Sequence, residues 1–146
     1  DKEFQKISGL FIAINILVWV VGIGTLLAGI IGVSNIMLIV VRERTKEIGI
    51  RKAIGATPFA IVSQIILEAI ILTGLAGYLG MSAGVGILDL VDGILGDSAG
   101  MFKQPGIDLS TALTFLSIIV LSGGLAGIIP ATKAAALNPI IALLSE

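Results

Sequence analysis

The run ISGLFIAINILVWVVGIGTLLAGIIGVSNIMLIVV, residues 7–41, carries no ionisable side chain and is followed at once by RERTKEIGIRKAIGA, residues 42–56. A helix needs only about 20 apolar residues to cross the roughly 30 Å hydrocarbon core of a bilayer, so a continuous helix over residues 7–41 outreaches it. One end must protrude. The cations Arg42, Arg44, Lys46, Arg51 and Lys52 assign the Val41 end to a cytoplasmic surface, where Lys and Arg concentrate. Counting about 20 residues back from Arg42 reaches the neighbourhood of Trp19, an aromatic suited to the opposite interface. Phe4 to Val18 is therefore read as a stalk on the outer side.

Composition supports lipid as the solvent. The chain is 56% apolar and 13% charged, against roughly 45–50% and a quarter in soluble domains. A domain of this length cannot hide so large an apolar fraction from water. The reading is thus an all-α integral membrane chain. Net charge is −1 and says little about partners, because the charges are clustered. The absence of His and Cys removes imidazole bases, thiol nucleophiles, most zinc sites and disulfides. The chain opens on Asp1, and its apolar run is far too long for a signal peptide, so it reads as a piece of something longer.

The remaining stretches follow from turn and charge signals. Gly55 ends one helix, Thr57 caps the next and Pro58 suits its first turn, opening a second crossing over residues 57–88 interrupted only by Glu68. Residues 89–107 carry Asp89, Asp92, Asp97 and Lys103 with Gly93, Gly96, Gly100 and Pro105-Gly106, which reads as an extracytoplasmic loop. A third crossing over residues 108–130 is expected to be capped by Asp108 and to stop at Pro130. Residues 131–146 form a cytoplasmic tail, with a short helix over Ala131 to Leu137 before Asn138-Pro139. Six Lys or Arg then lie inside and three outside, giving an outer N-terminus and a cytoplasmic C-terminus. An outer start needs an earlier crossing, so a further transmembrane helix and an extracytoplasmic segment are expected upstream.

Three groups of residues stand out. Phe4, Ile7, Phe11, Ile14, Val18, Val21, Thr25, Ala28, Gly32 and Asn35 recur at alternating steps of three and four, a heptad-like seam. Its large members fall in the stalk and its small ones in the membrane, where helices associate over small residues. Residues 42–56 pair Glu47 with Arg51 and Ile50 with Ile54 at i, i+4, so they are read as a short amphipathic helix. A basic collar meeting anionic lipid is the bland alternative, but the interleaved glutamates suit a protein groove better. Gln64 and Glu68 share one face of the second crossing. A carboxylate at that depth must pair, protonate or face water. A contact to Lys133, Arg42 or a backbone amide is preferred over a proton relay, which needs several ionisable groups.

The run Ser34-Asn35-Ile36-Met37-Leu38 followed by residues 42–56, with the tail Gly127-Ile128-Ile129-Pro130-Ala131 and Lys133 to Ile140, resembles the signatures of the MacB/FtsX-like permease family of ABC transporters. In that family a first transmembrane helix precedes a large outer domain, and three helices follow it; this sequence looks like those three. The resemblance implies a dimer of permeases, a stalk, and an amphipathic coupling helix docked on an ATPase. It assigns Arg44, Glu47, Ile48, Gly49, Ile50, Arg51 and Lys52 to the ATPase contact. It also implies mechanotransmission, in which cytoplasmic work reshapes the outer domain, and an efflux system in the bacterial inner membrane.

No Gly-x-x-x-x-Gly-Lys phosphate loop occurs. ATP and magnesium are therefore expected in the partner ATPase, and neither a cofactor nor a nucleic-acid partner is expected for this chain. The competing reading is a regulator of the same architecture that switches an outer partner such as a cell-wall hydrolase. An intramembrane enzyme is disfavoured, because no cluster of nucleophile, base and orienting group is visible.

Overall fold

The computed structural model describes residues 2–95 and 108–144. Its elements are α1 (Lys2–Glu43), α2 (Thr45–Ala53), α3 (Pro58–Leu95), α4 (Leu109–Ala135) and α5 (Pro139–Leu144), with no strand among the described residues. Three of them, α1, α3 and α4, are long and apolar enough to cross a membrane. The chain is thus an all-α membrane chain. At 1.5 Å per residue, the 42 residues of α1 extend about 63 Å, twice the hydrocarbon thickness.

Most of the close packing is between α3 and α4, with α1 lying on α4 and touching α3 sparsely. Small residues allow it. A Cβ on Gly127 would sit 3.2 Å from Ile66 Cα, and one on Gly77 would meet Ile119 Cγ2 at 2.7 Å. In lipid no water-driven collapse operates between helices, so backbone approach over glycine supplies the van der Waals contact. The buried core collects at one end, where Met37 and Val41 of α1, Ile48 of α2, Ile61, Ile65 and Ala69 of α3, and Ala131 and Ala134 of α4 meet. Every buried residue of α1 lies in its last ten: Ser34, Met37 and Val41.

Several boundaries differ from the sequence reading. Pro130 does not end α4, which runs on to Ala135 with Pro130 fully buried. Proline removes the bond to the carbonyl of Ala126 at a cost of about 3 kcal/mol. Burial of Ala126, Gly127, Ala131 and Ala134 around it offsets that loss. Ala131 to Leu137 is consequently no separate helix; the short terminal helix is α5, which begins at Pro139 with Ile140 N donating to Asn138 Oδ1 at 3.1 Å. Asn138-Pro139 starts a helix rather than closing one.

Asp108 holds the N-cap position of α4, but its side chain makes no capping bond; its backbone carbonyl accepts from Ala112 N at 3.0 Å instead. Its charge still favours the positive end of the helix dipole. Asp89 and Asp92 belong to α3, because a helix that has left the apolar layer tolerates carboxylates on exposed faces. Residues 96–107, with Gly96, Asp97, Gly100, Lys103, Pro105 and Gly106, lie outside the described residues.

Candidate functional site: the elbow between α1 and α3

Between the two long helices the chain makes an elbow in which nearly every turn is satisfied locally. Arg44 separates α1 from α2 with φ −93° and ψ 13°. Arg44 N still donates to Val40 O, and Ile48 N to Arg44 O, both at 3.0 Å. The Thr45 hydroxyl lies 2.8 Å from Arg42 O and 3.1 Å from Val41 O, serving the carbonyls left open at the end of α1.

At its far end, α2 closes on Gly55 with φ 109°. Gly55 N donates to Lys52 O at 3.1 Å and Ala56 N to Arg51 O at 2.9 Å. That pair of bonds is a Schellman cap, which requires the left-handed conformation glycine adopts cheaply. Thr57 Oγ1 then accepts from Ala60 N at 3.3 Å and starts α3.

Side chains brace α2 against α3. Arg51 Nη2 meets Glu47 Oε1 at 2.6 Å, and Arg51 Nη1 donates to Gln64 Oε1 at 2.7 Å. Arg44 Nη1 lies 3.6 Å from Glu68 Oε2. The partner of Glu68 is therefore Arg44, not Lys133, Arg42 or a backbone amide. The break at Arg44 carries its guanidinium across to α3, a turn that residue spacing alone does not reveal. Both side chains of this pair are partly exposed, so the pairing is worth at most about 1 kcal/mol.

The opposite face of α2 is filled. Ile48 and Gly49 are buried, and a Cβ on Gly49 would lie 2.7 Å from Ala142 Cβ of α5. The Lys52 ammonium donates to Ala135 O and, at 2.8 Å, to Leu137 O, the closing carbonyls of α4 and the link to α5. Of the seven residues assigned to an ATPase contact, Ile48 and Gly49 thus face inward and Lys52 is occupied within the chain. Arg44, Glu47, Ile50 and Arg51 remain exposed, joined by Lys46 and Ile54. The i, i+4 pattern marks Ile50 and Ile54, which are exposed, whereas Ile48 and Gly49 enter only through the family resemblance. The Asn-Pro pair at 138–139, read in the sequence as closing a helix, is the signal that could have revealed α5 as their partner.

Along α1, the seam residues Phe4, Ile7, Phe11, Ile14, Val18, Thr25, Ala28 and Gly32 are exposed, and none is buried within the chain. Thr25 satisfies its hydroxyl on Val21 O at 2.8 Å. Among the described residues no group of His, Cys, Asp and Glu could hold a metal ion.

Three long apolar helices, the first two joined through a braced, charged elbow, define a polytopic membrane component. The chain belongs to the FtsX-like permease family: residues 19–139 match the model described as FtsX-like permease C-terminal. It is 43% identical over 122 residues to the macrolide export ATP-binding/permease protein MacB of Wolinella succinogenes, covering 84% of this chain and 18% of that protein. It is equally 43% identical over 122 residues to the ABC transporter permease YknZ of Bacillus subtilis, covering 84% of this chain and 29% of YknZ. The pyoverdine export ATP-binding/permease protein PvdT of Pseudomonas entomophila is 44% identical over 124 residues, with 84% and 18% covered. The chain therefore spans less than a third of the length of these relatives.

Proposed function

We propose that this chain is the membrane-spanning part of an ATP-driven ABC exporter, working by mechanotransmission. The observation that carries the reading is the elbow: an exposed, mixed-charge and isoleucine-bearing face on α2, cross-braced to α3, at the foot of an unbroken helix about 63 Å long. In this reading a cytoplasmic ATPase, holding ATP and magnesium, grips Arg44, Glu47, Ile50 and Arg51. The push travels along α1 to an extracytoplasmic domain. The names of the MacB and PvdT relatives, which print both ATP-binding and export, support this reading. So does the engagement of the polar side chains Gln64 and Glu68 by Arg51 and Arg44 rather than by one another.

The seam supports a second copy as partner. At 100° per residue, the face of Thr25, Ala28 and Gly32 points roughly opposite to that of Ser34, Met37 and Val41, which packs inside the chain. An apolar helix side bare of intrachain contacts and rich in small residues suits a twofold contact in lipid.

The test is a charge swap, Glu47→Arg with Arg51→Glu, in the complete transporter. It keeps the internal pair and a partner for Gln64 while inverting the outer charge pattern. Insertion and assembly are expected to stay intact and stimulation of ATP hydrolysis by the permease to be lost. Stimulation unchanged by the swap would remove the coupling assignment.

A further inference from the structure

The inward face of α2 does more than fill space. Gly49 lets α2 and α5 approach backbone to backbone, with Pro139 O only 3.7 Å and Ala142 Cα 3.8 Å from where a Cβ would stand. One turn on, Lys52 stretches to Ala135 O and Leu137 O. These carbonyls lie at the negative end of the α4 dipole, where an ammonium is held most strongly. By contrast α2 has few contacts with α1, to which it is joined through the single residue Arg44.

We infer that Lys52 is a positioning residue: together with the close contact of Gly49 and Ala142, it locks α2 onto α4 and α5. The short terminal helix is then a strap that sets the pitch of α2. The strap thereby holds α2 at the end of α4, against the same core in which Met37 and Val41 of α1 are buried. Its consequence for transport rests on the coupling reading above: a push on α2 enters α4 through the strap as well as α1 through Arg44. The strap itself does not depend on an ATPase being present.

The experiment is amide hydrogen exchange on the full-length protein in lipid nanodiscs without nucleotide, with ATPase activity measured separately in the assembled transporter. Lys52→Met keeps the aliphatic stem and removes the donor. A charge-assisted bond of this kind corresponds to about tenfold or more in local opening, so exchange in residues 45–53 and 139–144 is expected to rise together by about that factor. Exchange around Met37 to Val41 is expected to stay unchanged, and Lys52→Arg to restore most of the protection. Ala142→Leu, which forces α5 off Gly49 with Lys52 intact, is expected to loosen α2 in the same way.

If α5 keeps its protection in Lys52→Met, or if α2 opens while α5 does not, the strap is refuted. Joint loosening of α2 and α5 with wild-type ATPase stimulation would uphold the strap and overturn the coupling assignment instead.

Discussion

Gly123 is buried in the α3–α4 interface, and an added Cβ there would overlap Thr73 Oγ1, with Thr73 Cβ at 3.0 Å and Cγ2 at 3.2 Å. Rotating Thr73 cannot relieve this, because its Cβ is fixed by the backbone and the hydroxyl is committed to Ala69 O at 2.8 Å. Gly123→Ala must therefore push the helices apart. Overpacking of this size costs about 1–3 kcal/mol, offset by up to about 1 kcal/mol from the better helix propensity of Ala. A net loss of about 1–2 kcal/mol lowers the folded-to-unfolded ratio by roughly 5–30-fold. The neighbouring Gly124 supplies the control, since its Cβ would meet only Ile70 Cδ1 at an ordinary 3.9 Å. Gly124→Ala is expected to be neutral or slightly stabilising. Thermal unfolding in detergent, followed by circular dichroism, should separate the two variants. Thr73→Ala should recover much of the loss in the Gly123→Ala background, as a double-mutant cycle reports for residues in contact. Equal melting of the two glycine variants, or an additive cycle, would refute the packing argument.

Glu68→Gln is expected to shift stability by no more than about 1 kcal/mol and to leave transport nearly intact, because the ion pair it removes is partly exposed and spans 3.6 Å. Abolished transport with normal assembly would instead indicate a proton relay through Glu68. Gly55→Ala meets no side chain within 4 Å yet must hold φ 109°, a backbone cost of about 1–2 kcal/mol. Thermal melts should therefore rank Gly55→Asn above Gly55→Ala, since Asn tolerates the left-handed region; the reverse order would deny the Schellman cap.

The features legible in the sequence are those set by solvent and by local chemistry. Uncharged runs long enough for a bilayer yielded α1, α3 and α4, and Thr57-Pro58 marked the start of α3. Pro130 misled because the rule that proline stops a helix weighs only the lost backbone bond. Here that loss competes with burial of Pro130 and its small neighbours. The inward direction of Ile48, Gly49 and Lys52 was not legible, since the i, i+4 pattern drew attention to Ile50 and Ile54 and gives a face but not its partner. Glu68 was legible as a residue needing company. Finding Arg44 required the bend at the end of α1.

The distribution of burial decides what motion α1 can make. Its last ten residues are anchored through Ser34, Met37 and Val41, while the rest has no buried residue within the chain. In the proposed mechanism a helix of about 63 Å whose buried residues all lie near its foot acts as a lever. A tilt of about 10° about that foot would carry the far end roughly 11 Å. On that proposal small rearrangements of α2 are amplified with distance, provided that α2 is itself held stiffly enough not to absorb them. The braces from Arg51 to Gln64 and from Lys52 to Leu137 O provide that stiffness on opposite sides of α2. An elbow tied on one side only would rotate about its own axis under load. Tied on both, it suits the proposed transfer of load to the helices to which it is fastened.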